Sequence, residues 1–253
     1  MTLQARSLEA RIGAFTLGPI DLAVGRGRVC ALVGPNGCGK TTLLRCVAGV
    51  QSLAAGAVEL AGRRVHGMRS DERARSVAFV PQLPRLPPAL SVREVVELGR
   101  LRIGQSPAAV DRALDRVGLL ASRHARADEL SAGQSHRVAV ARMLAQVHEG
   151  TKLVALDEPT SSLDPSWSAQ VGVIVRELAE EGRAVLVATH DFGFLGTCCD
   201  EVALLREGRL CGAGAVAEVA SPAALGVLFG TEFVAVTGLS ARAVSLPRWN
   251  GVS

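Results

Sequence analysis

The sequence has no tyrosine, and aromatic residues make up only 3% of its 253 positions. Any ring stacking must therefore come from six phenylalanines and two tryptophans. No apolar run of membrane-spanning length occurs, because charges, Gly or Pro break every candidate. The opening stretch MTLQARSLEARIG has no apolar h-region, so a secretory signal is not expected and the expected compartment is the cytoplasm. The six cysteines (Cys30, Cys38, Cys46, Cys198, Cys199, Cys211) form no paired C-x-x-C motifs, which argues against a zinc site. Cytoplasmic thiols stay reduced, so no disulfides are expected. No dense basic block appears either. The net charge of +4 comes from scattered arginines, so nucleic acid is not an expected partner. Internal repeats and low-complexity linkers are also missing.

What is present is enough apolar material for a sizeable core: 48% hydrophobic residues against 21% charged. Short apolar segments alternate with helical stretches, which predicts an α/β fold with a mainly parallel sheet. The strands are expected at Val29–Val33, Val77–Val80, Leu153–Leu156, Ala184–Ala188 and Val202–Leu205, with a helix over Thr41–Ala48. Between Pro84 and Gly150 the signals are almost all helical. Ser91–Glu94 reads as a capping box, Pro107 suits the first turn of a helix ending near Gly118, and a third helix is expected from Ser131. A helical insertion of about 84–150 thus interrupts the α/β core. Val92, Val95, Val96 and Leu98 are too apolar for a purely solvated face. They are expected to line a docking groove, with burial inside the insertion as the alternative.

Three stretches carry chemistry. Gly34-Pro35-Asn36-Gly37-Cys38-Gly39-Lys40-Thr41 fits G-x-x-x-x-G-K-[ST], follows an expected strand and opens an expected helix. Such a loop turns backbone N–H groups toward phosphate oxygens. Its lysine reaches the outer phosphates, and its threonine, with Thr42 beside it, stands where Mg²⁺ would sit. Leu153–Glu158 is a buried strand ending in two carboxylates. Asp157 is placed to hold Mg²⁺, and Glu158 to polarise an attacking water. His190 follows the apolar strand AVLVAT, at the kind of strand end where α/β sheets bind ligands, and a γ-phosphate contact is expected of it. Gln82, after VAFVP, is placed similarly to sense Mg²⁺ or water. Cys38, beside Lys40 and at a helix start, is expected to have a thiol pKa below that of a free cysteine.

Together these stretches resemble one family. Leu130-Ser131-Ala132-Gly133-Gln134 is similar to the ABC signature, and Asp157–Asp164 (DEPTSSLD) is similar to a Walker B strand running into the D-loop. With the Walker A loop, Gln82 and His190, their order is that of an ABC nucleotide-binding domain. The resemblance implies a P-loop ATPase fold with an N-terminal antiparallel β part, a domain over 1–240 and a C-terminal tail over 241–253. It implies ATP and Mg²⁺ as cofactors and an ATP-sandwich dimer with a second copy. In that dimer Ser131, Ala132, Gly133 and Gln134 would face the γ-phosphate held by the other chain, with Asp164 across the interface. Two departures from the family pattern stand out. Ala132 replaces a commoner glycine, a cost if its φ were positive. The adenine-stacking tyrosine is missing, leaving Phe15 or Ile12.

Arg73–Gln82, Leu90–Arg100, His190-Asp191-Phe192, Cys199–Arg209, Ala217–Val219 and Leu228–Gly230 resemble the ATPases of importers for iron-siderophores, haem and cobalamin. That likeness implies a membrane permease as partner, an extracytoplasmic substrate-binding protein in the same system, and a place on the cytoplasmic face of the membrane. An exporter ATPase, or a soluble ABC ATPase acting on nucleic acid or ribosomes, is the alternative.

Overall fold

The computed structural model describes residues 2–160, 164–237 and 243–248. In chain order the strands are β1 (Leu3–Ile12), β2 (Phe15–Val24), β3 (Val29–Val33), β4 (Ala55–Leu60), β5 (Arg63–Arg64), β6 (Val77–Val80), β7 (Leu153–Asp157), β8 (Ala184–Ala188), β9 (Glu201–Arg206), β10 (Arg209–Ala215), β11 (Phe233–Thr237) and β12 (Ala243–Pro247). The helices are α1 (Lys40–Val47), α2 (Ser70–Ser76), α3 (Val92–Glu97), α4 (Pro107–Arg116), α5 (Ala132–Gln146), α6 (Pro165–Glu180), α7 (Phe192–Cys198), α8 (Val216–Val219) and α9 (Pro222–Phe229).

The main sheet runs β10-β9-β3-β8-β7-β6 and is parallel except for β10. Its strands are apolar at nearly every position because helices or a second sheet cover both faces. The alternation of side chains divides the core in two. Val29, Ala31, Val33, Val154, Leu156, Val185 and Val187 join one buried cluster, with the helical insertion, α6 and α7. Cys30, Leu32, Leu153, Ala155, Leu186 and Ala188 join the other, with α1 and the antiparallel sheet β2-β1-β4-β5.

The helices start where local chemistry says they should. Ser91 and Glu94 close a reciprocal capping box on α3, and Ser131 and Gln134 do the same on α5. Ser106, Asp164 and Ser221 cap α4, α6 and α9, each followed by proline. Among the described residues no helix is long and apolar enough to cross a membrane.

One expectation changes. Val92, Val95 and Val96 do not line a groove: all three are fully buried where α3 packs on α4 and α5. The apolar side chains the insertion region leaves exposed are Leu83 and Leu101, at 83% and 64%. The segment read as a tail also contributes β12, which pairs antiparallel with β11 from Phe233↔Pro247 onward. Phe192, Phe229 and Phe233, with ring centroids 5.0–5.7 Å apart, join this hairpin to α7 and α9.

Candidate nucleotide-binding and hydrolysis site

Four neighbouring strands, β3, β8, β7 and β6, end on the same edge of the parallel sheet. Phosphate loop, His190, Asp157–Glu158 and Gln82 follow those ends in turn. Sequence-distant residues therefore meet there, as they do at the carboxyl edge of open α/β sheets.

The loop from Gly34 to Gly39 is fixed by close packing. A Cβ on Gly34 would lie 2.1 Å from the Leu205 carbonyl oxygen, so only glycine fits against β9. Gly39, at φ 109°, launches α1 from a left-handed residue. From below, Gly208 of the β9–β10 turn donates its N–H to the Cys38 carbonyl at 3.0 Å. Lys40 is buried, and its Nζ donates to the carbonyls of Gly34 at 2.7 Å and Pro35 at 3.3 Å, lying along the loop it would serve.

Across from it, the Thr41 hydroxyl donates to Asp157 Oδ1 at 3.1 Å. Asp157 is 1% exposed, and its Oδ2 takes no hydrogen bond among the described residues. Burial raises the carboxyl pKa, against the lowering effect of the Thr41 hydrogen bond. Glu158 follows in a left-handed conformation at φ 51°, uncommon for a non-glycine residue and costing about 1–3 kcal/mol. Its N–H donates to the Ala188 carbonyl at 2.9 Å, and its Oε2 is 2.6 Å from His190 Nδ1. Glu158 is buried, whereas the His190 side chain is 59% exposed, so the pair joins the strand end to open solvent.

A cleft of about 320 Å³ is lined by Phe15, Asn36 to Thr42, Gln82 and Glu158. Of the two residues considered for adenine, Phe15 is therefore at the cleft, with its ring against Gly39, while Ile12 is 42% exposed elsewhere on the first hairpin. None of Ser131, Ala132, Gly133 or Gln134 lines this cleft. Ser131 and Ala132 are exposed at the start of α5. Ala132 is the first helical residue, so it carries no left-handed strain. Asp164 is also exposed; its Oδ1 accepts the Trp167 N–H at 2.9 Å and caps α6.

The residues fit Mg²⁺ and a phosphate chain. Mg²⁺ favours oxygen ligands and usually shares one or two carboxylates with substrate phosphates. Here one hydroxyl and one buried carboxylate with an unpaired oxygen stand side by side. Among the described residues no group of three or more His, Cys, Asp or Glu could hold a metal by itself. Phosphate oxygens would have to complete such a site.

One expectation is reversed. Cys38 is 4% exposed and its thiol pKa is raised: burial outweighs the lowering effects of Lys40 and the loop amides. Its sulfur lies in the space Gly34 leaves by lacking a Cβ, not toward solvent. The support from the β9–β10 turn was not foreseen, because no local signal ties Gly208 to a loop so far away in sequence.

The ABC transporter family model matches residues 17–161. The hemin import ATP-binding protein HmuV of Pseudomonas entomophila is 41% identical, over 91% of this chain and 93% of its own length. The cobalamin import ATP-binding protein BtuD of Halobacterium salinarum is 36% identical over 97% of this chain, which spans 63% of that longer protein. A solved ATP-binding subunit of an ABC transporter superposes with a TM-score of 0.77 at 25% identity, over 91% of this chain and 94% of that one.

The raised thiol pKa fixes the expected reactivity of Cys38. At pH 7 less of it is thiolate than for a free cysteine, so maleimide should label the exposed Cys211 first, and Cys38 labelling should accelerate as pH rises. Peptide mass spectrometry across pH 6.5–9 would follow both sites; equal labelling of Cys38 and Cys211 at pH 7 would contradict the buried placement. On the strength of the site and of these likenesses, the chain belongs to the ABC transporter family, among its ATP-binding proteins.

Proposed function

We propose that two copies of this chain hydrolyse ATP in composite clefts and energise a membrane importer for an iron-siderophore, haem or cobalamin type compound. The observation that carries the hydrolytic reading is the Glu158–His190 contact at 2.6 Å, one residue beyond the carboxylate that meets Thr41. Lys40, the loop amides and the start of α1 bind the phosphates. Thr41, Asp157 and Gln82 hold Mg²⁺, which neutralises developing charge when bound. Glu158 orients the attacking water and accepts its proton, and His190 fixes the carboxylate and reaches the γ-phosphate.

The other half of each site comes from the second copy. Ser131, Ala132, Gly133 and Gln134 begin a helix in which the capping box takes the Ser131 and Gln134 N–H groups while those of Ala132 and Gly133 have no intrahelical acceptor, and all four residues lie outside their own cleft. Asp164 stands at the same interface. The 1–240 region acts as one ATP-binding domain with 84–150 inserted, and 241–253 ends it. The importer reading and its cargo class rest on the relatives named for hemin and cobalamin import. With them come a permease that holds this subunit at the cytoplasmic face of the membrane and an extracytoplasmic substrate-binding protein.

Glu158→Gln should bind ATP, accumulate as an ATP-loaded dimer on size exclusion, and hydrolyse about 10²-fold more slowly or worse. Lys40→Ala should lose nucleotide binding in a fluorescent-nucleotide titration. Normal turnover by Glu158→Gln would take the catalytic role away from that residue.

Ser131→Arg should bind ATP as the parent does yet fail to hydrolyse it. Mixing it with Lys40→Ala protein should restore at most one composite site. A fully active Ser131→Arg chain would rule the sandwich out.

Leu83, next to Gln82 in sequence, and Leu101, within the insertion, are exposed large apolar residues, and we infer that they contribute to the permease-docking face. Cysteines placed at either position should crosslink to the permease in membranes; crosslinks mapping only to the β1–β2 hairpin instead would overturn this placement.

A further inference from the structure

Arg137 joins the signature helix to the D-loop helix. Arg137 lies on α5, downstream of the Ser131 cap. Its guanidinium carbon sits 4.8 Å from the centre of the Trp167 ring, and its Nη2 donates to Asp164 Oδ2 at 3.3 Å. Trp167 is fully buried in the first turn of α6. Its indole N–H donates to the Pro159 carbonyl at 3.3 Å, and Pro159 directly follows Glu158. Glu158 in turn holds His190. A continuous run of contacts thus leads, within one chain, from the helix that carries Ser131 to the carboxylate at the head of its own cleft.

An ion pair as exposed as this one does little for stability: the Arg137 side chain is 28% exposed and the Asp164 side chain 54%. Its geometry is more specific than its strength. The planar guanidinium can stack on an indole and pair with a carboxylate at once, and a lysine ammonium cannot do both. Asp164 is likewise shared, with one oxygen capping α6 and the other held by Arg137. Arg137 thus contacts at once the residue that caps α6 and the Trp167 ring, whose indole holds the Pro159 carbonyl.

We propose that Arg137 is a positioning residue: stacked on Trp167 and paired with Asp164, it holds the signature helix in register with Glu158 of the same chain. The inference rests on the two-site reading above. Ser131 serves the opposite cleft in that arrangement, so α5 carries the state of one site and Arg137 passes it to the other. Arg137 touches neither nucleotide nor water and acts only through Asp164, Trp167 and Pro159.

The test uses the full chain carrying Trp249→Phe, which leaves Trp167 as the only tryptophan. Arg137→Met keeps the aliphatic stem and removes charge and donors; Arg137→Lys keeps charge alone; Arg116→Gln, at the α4–α6 ion pair with Glu177, is a control away from the site. Arg137→Met should lower kcat by about 10-fold with the KM for ATP changed by less than about 2-fold. The Hill coefficient for ATP should fall toward 1, and the change in Trp167 emission on adding ATP should disappear. Arg137→Lys should recover part of kcat and of the fluorescence response, and Arg116→Gln should match the parent. Parental kcat and cooperativity in Arg137→Met would overturn the proposal, as would a kcat loss matched by an equal loss of resistance to urea unfolding. A parent chain that hydrolyses ATP without cooperativity, or not at all, would overturn the two-site reading and this proposal with it.

Discussion

Asp157 is buried at the end of β7 with one oxygen on the Thr41 hydroxyl and the other bonded to nothing among the described residues. Leaving a buried polar atom unsatisfied costs about 1–3 kcal/mol, and more for a charged group. Next to it Glu158 holds a left-handed backbone conformation at a similar cost. Two strained neighbours at one strand end are not what a chain optimised for stability alone would keep. On the proposed reading they suit a site for a divalent cation and an attacking water: an oxygen that would be left for the metal, and a carboxylate turned out of the strand's regular alternation to meet His190. The rest of the molecule can be read as the scaffold that tolerates this strain.

That scaffold works because the strands that carry the site are buried on both faces. The β7 ladder to β8 runs without a break from Leu153↔Ala184 to Asp157↔Ala188, and the Glu158 N–H continues it to the Ala188 carbonyl. The backbone positions of Asp157 and Glu158 are therefore set by the sheet, not by their own side chains. The phosphate loop is held in the same way. Gly34 packs against the Leu205 carbonyl and Cys38 accepts from Gly208, so β9 and its turn brace the loop from the side away from the cleft. A rigid edge of this kind is what phosphoryl transfer needs from a protein, since the chemistry depends on alignment and charge more than on covalent help.

Much of this was legible in the sequence because it is written locally. The spacing of Gly34, Gly39, Lys40 and Thr41, the Ser91 capping box, the helix start at Ser131, and the apolar runs ending in Asp157 and before His190 each occupy a few consecutive residues. Where the reading failed, the deciding contact was distant. Cys38 is flanked by features that favour a thiolate, yet its side chain turns into space bordered by Gly34 and β9, and desolvation wins. Val92, Val95 and Val96 were expected to line a groove, with burial inside the insertion as the alternative; the alternative holds, and the partners are α4 and α5, which no periodicity within α3 could reveal. The segment over 241–253, read as a C-terminal tail, contributes β12, whose pairing with β11 no local signal announces.

On the proposed arrangement, the same distinction between local and distant explains why one chain would carry half of each site. Local ingredients of an anion site are present at the start of α5: a serine cap, a glycine one residue inside the helix, and the Ala132 and Gly133 N–H groups, which the Ser131–Gln134 capping box leaves without an intrahelical acceptor. Yet the cleft that contains Lys40 and Glu158 is lined by other residues altogether. Ser131 and Ala132, moreover, are exposed to solvent. A helix start so equipped is suited to an anion. It gains when a second surface brings phosphate to it, and on the proposed arrangement that surface is the cleft of another copy of the chain. Affinity between the copies then depends on the charge that only intact ATP supplies, so loss of the γ-phosphate removes the contact that holds them together. The path through Arg137 and Trp167 would give each site a mechanical reading of whether its partner has been engaged.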